Sequence, residues 1–252
     1  MSASASNGIT LHQFSSSHYN EKARWVLTFK QVEHKRVGHL PGPHISAMKK
    51  LSGQSSTPVL DWHGKIIAGS NEIVTFVDAE VSEKPLFPED PTARKEVVEW
   101  CQRLDNELGP AVRTLAWSGM IDHTGYVIRV FGRDQSLIKL FIYRLLFPLL
   151  RSVIGKANGV NPENIKKSEG ITTRYLAEID DATQTTGYLV GSEFTAADLT
   201  AAALLAPLSG LEHPDMKLPE PVVESFKIII NRYSEHPAIR WVKEQYRQHR
   251  AG

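Results

Sequence analysis

Apolar and polar positions change period along this chain, and the changes mark its elements. Ile9–Phe14 alternate, as a half-buried strand does. From Tyr19 to Lys30 the apolar residues Tyr19, Ala23, Val26 and Leu27 recur at helical spacing. Val32–Leu40 reads as a weaker strand and Ile45–Leu51 as a short helix, with PGPH (Pro41–His44) and SGQSS as turns. Thr57–Trp62 reads as a third strand, with Pro58 near its start, where a missing N–H is tolerated. The brief HGK link to Ile66–Ala68 makes these two strands an antiparallel hairpin. Ser70 then serves as N-cap of a helix with Ile73, Phe76 and Val77 on one face. The order βαβα then ββα predicts a small α/β layer with a mixed sheet.

After this the strand pattern stops. EKPLFPEDP (Glu83–Pro91) holds three prolines in nine residues and reads as a linker, and Asp90-Pro91 as an N-cap followed by proline at the first helical position. Val97, Cys101, Leu104 and Leu108 fall on one helical face, and 126–154, 163–184, 196–208, 220–233 and 237–248 all read as helical. The chain therefore divides into an α/β domain, residues 8–82, and an all-helical domain, residues 91–250. In EFTAADL, Thr195 and Asp198 take the N-cap and N3 places of a capping box, and Phe194 and Leu199 those of a hydrophobic staple. The helix that follows has almost no polar face, so it runs through the core and its start must be satisfied internally.

Composition narrows the class. The 252 residues suit one large or two ordinary domains, and 41% hydrophobic with 23% charged residues is a soluble globular balance. A net charge of +1 gives no sign of nucleic-acid binding. One cysteine, Cys101, excludes an internal disulfide, a thiol pair or a structural zinc set, and fits a reducing, cytoplasmic compartment. The opening MSASASNG lacks the basic and apolar regions of a signal peptide and reads as a disordered tail. The apolar run KLFIYRLLFPLLRSVIG carries Lys139, Arg144, Arg151 and Pro148, which argues for a buried or surface-docked helix over a spanning one. From Arg129 to Lys156 there are six basic residues against one acid, Asp134: a solvated edge, or a face for an anionic lipid or acidic partner.

The chemistry concentrates in FSSSHYNEKARW, Phe14–Trp25, where Ser15, Ser16, Ser17 and Tyr19 crowd a helix mouth. Such a site caps a helix or holds an anion, since helix N-termini attract negative charge. Ser70 presents the same choice at a second helix start. No metal-ligand cluster, phosphate loop, dinucleotide fingerprint or Ser-His-Asp arrangement is recognisable.

Three segments together resemble the cytosolic glutathione transferase superfamily. SHYNEKARW is similar to its S/C-P-x-x-x-[RK]-V-R stretch, GQSSTPVLDWHGKIIAGSNEIVTFVD to its G-x-V-P-V-L … I-x-E-S-x-A-I segment, and TAADL to its [ST]-x-A-D helix start. The resemblance implies a thioredoxin-like N-terminal domain with a four-stranded mixed sheet, a helical-bundle C-terminal domain, glutathione as co-substrate without a metal, and a homodimer. It implies Ser17 as catalytic residue, a cis peptide at Thr57-Pro58, and glutathione contacts from Ser17, His44, Ser56, Thr57, Pro58, Gly69 and Ser70. SHYN lacks both thiols of a CxxC pair, which leaves serine-type rather than cysteine-type chemistry. Three departures stand out: His18 for proline, Thr57 for valine, and Gly69 for the acid that holds the γ-glutamyl amino group. Lys22 and Arg24 read as helix-surface or structural residues. Tyr19, Leu104, Leu108, Trp117 and Met120, with Tyr126 and Phe131, are the candidate wall for a small apolar electrophile. Two readings follow: an enzyme using the glutathione thiol for conjugation, ether cleavage or isomerisation, or a non-catalytic ligand carrier or protein-interaction module on the same fold.

Overall fold

The structure is a computed structural model that describes residues 8–250; residues 1–7 of the tail lie outside the described residues. Four strands, β1 (Ile9–Gln13), β2 (Lys35–Gly38), β3 (Val59–Trp62) and β4 (Lys65–Ala68), form one mixed sheet in the order β2-β1-β3-β4. β1 runs parallel to β2 and antiparallel to β3, and β3–β4 is the expected hairpin. Along β1 the alternation is real: Ile9, Leu11 and Gln13 are buried, while Thr10 and His12 are half-buried. Helices α1 (His18–Phe29) and α3 (Ser70–Glu80) pack together, and α2 (His44–Ser52) packs near β4. This is the thioredoxin-like layer, followed by a helical region.

Asp90 caps α4 (Pro91–Arg103) by accepting from the Ala93 N–H at 2.8 Å. A π-helical turn, Leu104–Leu108, joins α4 to α5 (Gly109–Met120). α6 (Thr124–Phe131), α7 (Leu137–Ala157), α8 (Pro162–Thr183), α9 (Ala196–Leu205), α10 (Glu224–Tyr233) and α11 (Pro237–His249) complete the chain. Every residue of α9 is buried, as its missing polar face requires. Its capping box forms: Asp198 accepts from the Thr195 N–H, the Thr195 hydroxyl and the Leu189 N–H at 2.7 to 2.9 Å. The helix mouth is thus satisfied inside the core.

The strand expected over Val32–Leu40 is confined to Lys35–Gly38, and two helical segments also differ from the sequence reading. The single helix expected over 126–154 is two, because the chain turns at Gly132 and Ser136 restarts it as N-cap of α7. The helix expected from 220 begins at Glu224: Glu220 precedes a proline, which disfavours helical backbone there, and Val223 is the extended N-cap.

The α/β layer and the helices share one core. α1 packs on α9, and Trp25 donates to the His249 carbonyl. Glu21, at 0% exposure, accepts from Arg24 at 2.7 Å, Arg250 at 2.9 Å and Tyr246 at 3.3 Å. Of the two readings given to Lys22 and Arg24, helix-surface or structural, the second holds: both are fully buried, and Lys22 reaches Asp105 at 2.6 Å across the two halves. A buried charge needs a partner: Arg24 finds Glu21 one turn away, while Asp105, Arg250 and Tyr246 are remote in sequence.

Candidate active site

The mouth of α1 sorts its hydroxyls by where they donate. Ser15 gives its proton to the Phe131 carbonyl (3.3 Å), and Ser16 to that of Val130 (2.9 Å), tying the loop to the end of α6. Tyr19 donates to the Asp105 carbonyl (2.9 Å), and burial holds its phenol far above the usual range. Ser17 is different. It stands at the N-cap of α1 with extended backbone (φ −105°, ψ 133°), yet its hydroxyl makes no capping bond. It lines a cavity of about 340 Å³ instead.

His18 replaces the expected proline and is buried. Its Nε2 lies 3.0 Å from the Gly109 carbonyl, so Nε2 carries the proton. Burial, with the Arg113 guanidinium, pushes His18 down to about 3, so it is neutral at pH 7. Burial also lowers His44, whose Nδ1 accepts from the Gly42 N–H at 3.1 Å; its ring meets Phe14 edge-on.

The Thr57-Pro58 peptide is cis. It opens β3 beside α1, where Asn20 Nδ2 donates to Thr57 Oγ1 at 3.2 Å. The other amide atom, Asn20 Oδ1, is buried without a partner. At the end of β4, Gly69 rather than Ser70 is the N-cap of α3, and Ser70 is its first helical residue. Gly69 has φ +110°, a conformation that suits glycine. The Glu72 carboxylate Oε2 fills the space that a Cβ on Gly69 would take.

Two cavities meet here. The first, mostly apolar, is lined by Phe14, Ser17, His44, Trp117, Met120 and Phe131, among others. The second is a polar groove lined by Pro58, Gly69, Ser70, Glu72 and Asp105. Tyr19, Ser56, Thr57 and Arg113 border both. Leu104 and Leu108 line neither: both are fully buried, and their π-helical turn packs against α8 and α9. Tyr126 is likewise buried outside the cavity, with its hydroxyl unpartnered.

Several lining groups were not anticipated from the sequence. Asp105 Oδ1 is buried without a partner beside the polar groove, although Oδ2 takes Lys22. Arg113 makes no ion pair among the described residues, and its Nε is buried without an acceptor. Its guanidinium lies 5.9 Å from the Tyr19 ring centre. An arginine and an acid within one helical segment carry no signal until the fold puts them at a cavity. Elsewhere Glu21, His213 and Asp215 come close enough for a metal, but Arg24, Arg36 and Arg250 already neutralise the two carboxylates.

A model of the glutathione S-transferase N-terminal domain matches residues 11–85. Residues 11–85 therefore carry a glutathione S-transferase N-terminal domain. Glutathione S-transferase TCHQD of Arabidopsis thaliana is 24% identical over 201 residues, covering 77% of this chain and 74% of that protein. The fold is similar to that of beta-etherase LigF from Sphingobium sp. strain SYK-6 (TM-score 0.63, 20% identity, 94% of this chain and 99% of that one). It is also similar to a glutathione-bound theta class transferase from Xanthomonas axonopodis pv. citri (TM-score 0.59, 17% identity, 98% and 99%). The polar groove and the apolar cavity adjoin along Tyr19, Ser56, Thr57 and Arg113.

Proposed function

We propose that the protein is a serine-type glutathione transferase. Residues 8–82 bind glutathione and residues 91–250 bind a small apolar electrophile. Glutathione lies along the polar groove. Its peptide pairs with the Thr57 backbone beside cis-Pro58, and its γ-glutamyl carboxylate meets Ser70 at the start of α3. Ser56 and His44 flank its other end. The γ-glutamyl ammonium faces two acids, Glu72 and the unpartnered Oδ1 of Asp105. Glu72 thus stands in for the acid absent at Gly69 and weighs against a carrier that has lost glutathione.

The observation that carries the reading is the free hydroxyl of Ser17. Of the four hydroxyls at the α1 mouth it alone is not committed to a carbonyl, and it lines the cavity next to Thr57. A thiol has a pKa of about 8.5, and each unit of depression requires roughly 1.4 kcal/mol in favour of the thiolate. One hydrogen bond to a charged sulfur supplies about 1.5–3 kcal/mol. The positive end of α1 and the unpaired Arg113 add to it. No general base is needed. The thiolate then attacks an electrophile held against Phe14, Trp117, Met120 and Phe131, and conjugation, ether cleavage and isomerisation all draw on that same species. The reading carries with it a cytoplasmic homodimer, in keeping with the single, buried Cys101.

Calorimetric titration of reduced glutathione into the wild type and Ser70→Ala tests the binding half. Saturable binding, weakened about tenfold in the variant, is expected. No heat and no saturation at millimolar glutathione would sink the transferase reading.

A further inference from the structure

α7 is apolar on two opposite faces. One face packs inward through Tyr143, Phe147 and Ile154, all buried. The other shows solvent eight large apolar side chains in an unbroken stripe: Leu137, Ile138, Phe141, Ile142, Leu145, Leu146, Leu149 and Val153. Leu137 is 84% exposed and Leu149 76%. Scattered exposed leucines are ordinary, but a continuous stripe along a whole helix marks a contact surface. A helix apolar all round is one that something covers.

The charges on α7 identify the cover. The helix carries Lys139, Arg144, Arg151 and Lys156, all exposed, and no acid. At 3.6 residues per turn Lys139 lies on one edge of the stripe, Arg144 and Arg151 on the other, and Lys156 at its C-terminal end. Arg151 shares its charge with Asp122 of the turn between α5 and α6; α7 itself offers no counter-ion. A second copy docking stripe to stripe would set four cations against four. A layer of anionic lipid headgroups supplies the opposite charge, and its acyl region takes the stripe while the basic side chains extend to the headgroups. No helix among the described residues is long and apolar enough to cross a membrane. An apolar face edged by Lys and Arg is the pattern of a helix lying in the membrane plane.

We propose that α7 docks the protein on the surface of an anionic bilayer. This does not depend on glutathione chemistry. The test is co-sedimentation of the full chain with vesicles of phosphatidylcholine alone and of phosphatidylcholine with about one-third phosphatidylserine. The wild type and Phe141→Glu/Leu149→Glu are compared, with circular dichroism and sedimentation velocity run on both. The two positions are exposed, so the variant keeps its fold. The expected result is wild-type binding to the phosphatidylserine vesicles that weakens with added salt and falls at least tenfold in the variant. Absence of wild-type binding to those vesicles, or equal binding by the variant, would overturn the proposal. So would a wild-type oligomer that binds no vesicles and that the variant converts to monomer, since the stripe would then be covered by a second copy.

Discussion

Glu72 and Gly69 share one space: the Glu72 carboxylate sits where a side chain on Gly69 would begin. Gly69 also holds φ +110°, which an L side chain enters only with strain. The local backbone and the borrowed acid are therefore one arrangement. Glu72→Gln should weaken glutathione binding about tenfold, near 1.4 kcal/mol. Gly69→Asp, which puts an acid at the usual family position, should weaken binding as well and destabilise the protein by about 1–3 kcal/mol. Titration calorimetry and thermal unfolding of the two variants read both effects; tighter binding by Gly69→Asp would refute the substitution of one acid for the other.

The hydroxyls at the α1 mouth should separate in kinetics. Ser17→Ala should lower kcat/KM for a standard aryl halide by about ten- to a hundredfold, as loss of a bond worth about 1.5–3 kcal/mol implies. Ser16→Ala removes only a tie to the Val130 carbonyl and should cost activity threefold or less, near 0.6 kcal/mol. Equal losses in the two would show that the stretch serves folding alone.

His18 gives the protein a pH-dependent weakness. Folded, it resists protonation down to about 3; unfolded, it takes up a proton near 6.5. Unfolding then binds a proton below pH 6.5, so this contribution is fully present above 6.5 and is lost as pH falls towards 3. The slope is at most about 1.4 kcal/mol per pH unit. His18→Gln retains a donor for Gly109 without the titration. Urea denaturation from pH 7 to pH 4 should show the wild type losing stability faster than the variant, with parallel curves as the contrary outcome.

The Lys22–Asp105 pair holds the two halves together with its cation fully buried. Lys22→Met strands a largely buried carboxylate and should cost about 3–5 kcal/mol. Adding Asp105→Leu should recover much of that loss. Equilibrium unfolding of the single and double variants measures the coupling, and simple additivity would contradict it.

Local signals were legible in the sequence. The capping box at Thr195 and Asp198 and the Asp90-Pro91 helix start depend on residues three apart, and both form as read. The cis peptide implied by the family resemblance is present at Thr57-Pro58. Remote partners were not legible. Which hydroxyl stays free at the α1 mouth is decided by the Val130 and Phe131 carbonyls, more than a hundred residues away. The burial of Lys22 follows from Asp105, and the role of His18 from Gly109, neither of which helical period can reveal. One apolar stripe also hid two fates. Leu104 and Leu108 sit in the π-helical turn and face the core, whereas Trp117 and Met120, on α5, line the cavity. Glu72 escaped notice because its carboxylate reaches back three residues into the space left by the missing Cβ of Gly69, an approach that the sequence spacing alone does not show.

The central claim is that Ser17 stabilises a glutathione thiolate. The ultraviolet absorbance of the thiolate, followed against pH with glutathione bound to the wild type and to Ser17→Ala, measures this without any choice of electrophile. The wild type should hold the thiol one to two units below its free value of about 8.5, and the variant should return most of that shift. A thiol that titrates at its free value in the wild type, or identically in the two proteins, would contradict the account.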